Sequence, residues 1–207
     1  MKKLNYLVIG IAIFIAFVLF SYYVHKDLFF QFDFNTTVRL QDHISRRFDS
    51  SFSFLSLFGS LEIMSVLLLG VLILRRKIKA FLAFVLFFGM HIFELYGKIF
   101  VNHPGPPYLF FRYDIPFQFP TSYVQPGSSY PSGHAARAAF ISVILMLVVS
   151  KSGKIKPIHK IIIYSIVMSF DIAMFVSRVY LGEHWASDVI GGALLGLSIA
   201  IASFIFL

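Results

Sequence analysis

Cysteine is missing from this chain, and charge is scarce: Asp, Glu, Lys and Arg make up 14% of its 207 residues. Without cysteine there is no disulfide, no thiolate zinc site and no cysteine-nucleophile phosphatase chemistry. With so little charge, 58% hydrophobic residues and 26 phenylalanines, the composition excludes an ordinary soluble domain. Acids are the scarcest charges, 10 against 18 Lys and Arg, which leaves a formal charge of +8. The bases are scattered between apolar runs rather than gathered in a patch, so nucleic acid is not expected as a partner. There is no internal repeat and no low-complexity linker.

What remains is apolar length. Six segments are long enough for a hydrocarbon core of about 30 Å: Leu4–Val24, Phe52–Leu74, Ile78–Val101, Ala135–Ser150, Ile158–Tyr180 and Asp188–Leu207. The expected fold is all-α, a six-span transmembrane helical bundle forming a single integral-membrane domain over residues 1–207. The first run ends in Ser21-Tyr22-Tyr23 and His25-Lys26 without a small-residue cleavage pattern, and reads as a retained anchor.

Orientation follows from where acids are absent. Lys2 and Lys3, the turn Arg75-Arg76-Lys77-Ile78-Lys79, and Lys151, Lys154, Lys156 and Lys160 share one side, with no carboxylate among them. The positive-inside rule puts both termini in the cytoplasm and the loops 25–51, 102–133 and 181–187 outside, across a plasma membrane. The net charge is then a topology signal and a contact for anionic lipids. The outward segment 25–51 mixes aromatics with charges. It reads either as a connecting loop or, from Asn35-Thr36 on, as an interfacial helix near the site.

Polar residues at the outer mouths of the spans carry the chemistry. In Pro131-Ser132-Gly133-His134, Ser132 can cap a helix and Gly133 lets backbone N–H groups approach an anion at a positive helix end. In Ser177–Asp188, a last span beginning near Glu183 sets His184 and Asp188 four apart on one face. Asp188 can then hold the Nδ1–H of His184 and free its Nε2 as a nucleophile. In the third span His91, Glu94 and Lys98 fall at helical spacing, and Glu94 and Lys98 can neutralise each other. Asn102-His103-Pro104-Gly105-Pro106-Pro107 follows as a stiff outward turn.

These residues resemble the type 2 phosphatidic-acid phosphatase family, whose fold is shared with the vanadium haloperoxidases. Of the family pattern K-x6-R-P, P-S-G-H and S-R-x5-H-x3-D, the second motif is complete at Pro131–His134. The third is complete at Ser177, Arg178, His184 and Asp188. The first keeps Lys98 and Pro106 but has Gly105 in place of Arg. The resemblance implies an acid phosphatase/haloperoxidase-like core and a metal-independent hydrolase without cofactor. His184 would form a phosphohistidine, Asp188 would orient it, and His134 would protonate the leaving oxygen. Lys98, Ser132, Gly133 and Arg178 would hold the phosphoryl oxygens.

The absent guanidinium needs a substitute. Arg137, three residues after His134 on the same helix side, is the first candidate, and Arg112 in the outward loop the second; otherwise nothing compensates. His103 lies near the site and reads as structural or solvent-facing, with contact to substrate as the alternative, and His91 as packed within its span. Asp171 and Glu62 need polar partners. Tyr180 and Trp185 read as interfacial aromatics, with packing beside His184 as the alternative for Trp185. The expected partners are membrane lipids and a lipid phosphate substrate: phosphatidate, phosphatidylglycerol phosphate or a polyprenyl diphosphate. A lipid phosphotransferase and a non-catalytic anion-binding or transport protein are the alternatives, and a zinc site from His103, His134 and His184 is the least favoured.

Overall fold

The computed structural model describes residues 3–75, 81–119 and 128–206. Lys2, the basic turn from Arg76 to Lys79, the start of the third span at Ile78, part of the loop 102–133 and Leu207 lie outside the described residues.

Among the described residues eight α-helices follow in order: α1 (Lys3–His25), α2 (Phe30–His43), α3 (Asp49–Phe58), α4 (Leu61–Arg75), α5 (Phe81–Phe100), α6 (Gly133–Ser150), α7 (Pro157–Tyr180) and α8 (Ala186–Ser203). Among the described residues, α1, α5, α6, α7 and α8 are long and apolar enough to cross a membrane, and α3–α4 makes a sixth span when taken as one bent unit. The second span expected over Phe52–Leu74 is this bent unit: the chain turns by 51° where α3 meets α4. Ser60 starts α4, its hydroxyl accepting from the Ile63 N–H at 3.3 Å. A Cβ on Gly59 would lie 2.6 Å from the His134 ring, so the break presses its backbone against that histidine.

At the centre α6 packs on α8. Ala135, Ala136 and Ala138 of α6 are fully buried, and side chains at Gly192 or Gly196 of α8 would strike the α6 backbone. Small residues of this kind let two helices approach closely within a bilayer. The shell of α1, α5 and α7 shows most of its surface outward, as lipid-facing helices do. Ser142 Oγ donates to Asp171 Oδ1 across α6 and α7 at 2.7 Å, which supplies Asp171 with the expected partner.

The termini share one end of the bundle: Lys3 Nζ donates to the Ile205 carbonyl at 2.7 Å, and Lys151 sits 4.3 Å from the centre of the Phe204 ring. The Pro131–His134 and Ser177–Asp188 segments lie at the other end. There α2 begins at Phe30, earlier than Asn35, because Asp33 belongs to its first turn and is buried against the start of α8. Gln41 Nε2 donates to the carbonyls of Phe110 and Tyr180 at 2.7 and 2.8 Å, fixing α2 to the α7–α8 turn. Tyr180 and Trp185 are corrected from interfacial to buried. Tyr180 is fully enclosed and its hydroxyl bonds Asp49, while Trp185 Nε1 donates to the Pro104 carbonyl at 2.8 Å.

Candidate active site

Between the α3–α4 break, the end of α5, the start of α6 and the α7–α8 turn lies a cavity of about 790 Å³. Lys98, Gly133, His134, Arg137 and His184 line it, with Glu94 and Glu183. The two motif segments are tied by their backbones, since Ser132 N–H donates to the Asp188 carbonyl at 3.0 Å.

Ser132 caps α6, its hydroxyl accepting from the Ala135 N–H at 3.4 Å. It is fully buried and its side chain serves the helix start rather than the cavity wall. Gly133 is required by a close approach: a Cβ there would overlap the Glu94 carboxylate and crowd Arg137.

His184 sits in the turn before α8, which begins at Ala186, not near Glu183. Asp188 is therefore in the first turn of α8 and reaches back. Its Oδ2 accepts from the Trp185 N–H at 2.9 Å and lies 3.4 Å from His184 Nδ1. The expected orienting contact is present but long, and the ligand-free His184 Nδ1 has no shorter partner among the described residues. Burial pulls the His184 imidazole below its ordinary pKa, with Lys98 and Arg178 acting in the same sense against the pull of Asp188. A neutral imidazole with a free lone pair is the form a nucleophile needs. Gly182, at φ +67°, makes the left-handed turn that brings His184 round after α7.

Arg178 is fully buried on α7. Its Nη1 pairs with Glu183, while Nε and Nη2 have no partner among the described residues. Unpaired guanidinium donors at a water-excluded site are costly unless an anion completes them. Lys98 Nζ donates to the Ser129 carbonyl at 3.3 Å, and no ion pair to Glu94 forms. The expected Glu94–Lys98 neutralisation is thus replaced. Glu94 Oε2 lies 3.5 Å from Arg137 Nη1, brought by the packing of α6, and 3.8 Å from His91 Nε2, one turn back on its own helix. Lys98 Nζ is left at the cavity wall without an ion pair to Glu94.

Arg137 is the better-placed of the two substitute cations. Its Nε donates to the Gly59 carbonyl at 2.9 Å, Nη1 to His91 Nε2 at 3.3 Å, and Nη2 faces His134 Nδ1 at 3.5 Å. The break between α3 and α4 leaves the Gly59 carbonyl for Arg137 to bind. Because Nδ1 of His134 faces a donor, its proton is assigned to Nε2. Arg112 instead stacks over the Tyr180 ring at 5.1 Å and is not part of the cavity wall. His91 donates from Nδ1 to the Phe87 carbonyl at 2.9 Å, the packed role expected of it.

His103, expected near the site in a structural, solvent-facing or substrate-touching role, instead donates from Nδ1 to Asp188 Oδ1 at 2.8 Å. It lines a second cavity rather than the first, apart from His134 and His184. Its only sequence signal is its place in the stiff turn after Lys98.

The PAP2 superfamily model matches residues 78–207, the span that holds all three motif segments. Phosphatidylglycerophosphatase B of Bacillus subtilis (strain 168) is 38% identical over 69 residues, 33% of this chain and 34% of that protein, so the match spans about a third of this curated relative. The structure of a transmembrane PAP2 type phosphatidylglycerolphosphate phosphatase from Bacillus subtilis superposes with a TM-score of 0.75, at 20% identity over 94% of each chain. Aquifex aeolicus LpxE superposes with a TM-score of 0.62, at 24% identity over 84% of this chain and 94% of its own. At such identities the two structures speak for the fold, an all-helical integral-membrane bundle. With the family match over the motif-bearing part of the sequence, the chain belongs to the PAP2 superfamily.

Proposed function

We propose that this protein is a membrane phosphatase that hydrolyses a lipid phosphate or diphosphate through a phosphohistidine on His184. The observation that carries the reading is the meeting of His184, His134 and Lys98 in one cavity beside the unpaired donors of Arg178. In-line phosphoryl transfer needs positioning and charge neutralisation more than elaborate covalent chemistry.

In the first step the His184 Nε2 lone pair bonds to phosphorus as the bond to the lipid oxygen breaks. With the anionic phosphate bound, His134 enters this step as the imidazolium, gives that oxygen its Nε2 proton and becomes neutral. Asp188 stabilises the charge left on the His184 ring. In the second step water attacks phosphorus, His134 takes its proton, and the P–N bond breaks to release phosphate and restore His184. Lys98, Arg178 and the N-terminus of α6 at Gly133 hold the equatorial oxygens, with the charge of Arg137 behind them. Ser132 supports this cradle by capping α6.

The chain acts as one membrane domain, with both termini and the basic turns in the cytoplasm and the cavity at the outer face of the plasma membrane. The shared end of Lys3, Lys151 and Ile205 supports that arrangement. Exposed Leu95, Tyr108 and Phe111 on the wall suit an apolar tail that stays in the bilayer while its headgroup enters. Candidate substrates are phosphatidate, phosphatidylglycerol phosphate and a polyprenyl diphosphate.

The test is phosphate release from a panel of these lipids in proteoliposomes, with and without an acceptor lipid. Wild type should release inorganic phosphate and His184→Ala should not. Equal slow release from both proteins would overturn the reading, and phosphate recovered on the acceptor lipid would make the protein a transferase.

A further inference from the structure

Asp188 is shared between two histidines. His184 Nδ1 lies 3.4 Å from Oδ2, whereas His103 Nδ1 donates to Oδ1 at 2.8 Å. On its other side His103 Nε2 stands 3.6 Å from Asp33 Oδ2. Asp33 in turn accepts from the Ser187 N–H at 2.7 Å and from Ser187 Oγ at 2.6 Å, so both its oxygens act as acceptors, as in a carboxylate. Asp33, His103 and Asp188 are all buried. Three segments far apart in sequence thus meet in the order Asp33, His103, Asp188, His184.

We propose that His103 is a positioning residue of the reaction, acting through Asp188 to hold its carboxylate in place and to temper its charge toward His184. This deepens the phosphatase reading and rests on it for its kinetic consequence. A carboxylate that orients a histidine is itself fixed by outer partners. Here those partners are the Trp185 N–H and His103.

The groups facing His103 are Asp188 on α8, Asp33 on α2, Asp27 in the turn before α2, and the Tyr130 ring, edge-on at 6.4 Å; His25, ending α1, shares its cavity. Burial disfavours the charged ring, but the bond to Asp188 and the charges of Asp188, Asp33 and Asp27 outweigh it and hold the His103 pKa above its ordinary value. Facing His184 are Asp188, Lys98, Arg178 and His134. An imidazolium at His103 takes up part of the Asp188 charge. Without it that charge falls on His184, which then holds a proton to higher pH and loses its lone pair sooner as pH falls.

The test is the pH profile of phosphate release by His103→Asn in proteoliposomes. We expect kcat/KM to fall about 10-fold with KM within about twofold, and the acid limb to move up by about half a unit or more. ¹⁵N-histidine NMR of wild-type and His184→Ala proteins should show both His103 nitrogens protonated at pH 7. A neutral His103 at pH 7, or a variant with an unmoved limb and unchanged kcat, overturns the proposal. The NMR result does not depend on turnover, so failure of the phosphatase reading and failure of this one are separable.

Discussion

The site is built from two kinds of helix. In α6 and α8, 61% of the span is buried inside the protein; in α5 the share is 22%. The buried pair carries His134, Gly133 and Asp188, joined by the Ser132–Asp188 backbone bond, and both of its motif segments are complete. Lipid-facing α5 and its following turn bring Lys98 and Gly105, and here the family pattern is broken. Groups that would align the reacting atoms sit on the close-packed pair and on the turn that leads into α8. A charge that works over a few ångströms can sit on the periphery, and Arg137, reaching from the buried pair toward α5, is the proposed substitute for the one absent at Gly105.

The sharpest way to break this comparison is to remove the chemistry from the buried region. His184→Ala should lower kcat/KM about 10³-fold or more, read as phosphate release. Arg178→Lys keeps the charge but loses the fork, and kcat should fall about 10²-fold. On the periphery Lys98→Met should cost about 10-fold, mostly in KM, because it removes attraction rather than alignment. Arg178 belongs to shell helix α7, though its own side chain is fully enclosed, so the comparison of regions rests on His184: if Lys98→Met costs as much as His184→Ala, the division between the two regions fails.

Much of this division is legible in the sequence and part is not. Hydropathy marks the spans, and the spacing of His184 and Asp188 marks the chemistry, because both are local properties. Hydropathy does not separate a helix facing lipid from one facing protein, which is why Tyr180 and Trp185 look interfacial but are buried. Helical spacing offers Glu94 the partner Lys98 on its own helix, whereas packing gives it Arg137 on the next. The bend at Gly59 lies inside an unbroken apolar run. The bond between His103 and Asp188 joins residues 85 positions apart, beyond the reach of any local pattern.

Two smaller effects sharpen the comparison. With the His184 imidazole held below its ordinary pKa by burial, kcat/KM should be full at neutral pH and fall only as pH drops below about 6.5. A limb centred above that value would contradict the buried, neutral nucleophile. At Gly105 a Cβ would meet only Ser129, at 3.5 Å, so Gly105→Arg should be tolerated and raise kcat/KM a few-fold by restoring the absent guanidinium. Arg112→Ala, stacked on Tyr180, should leave phosphate release within about twofold.

The most direct test of the central claim is to trap the covalent intermediate. Protein mixed with ³²P-labelled lipid phosphate is quenched in alkali within one turnover, digested and mapped. The label should be alkali-stable, acid-labile and confined to the peptide containing His184, and absent from His184→Ala. Turnover with no label on that peptide, or label on another residue, would contradict the phosphohistidine at His184.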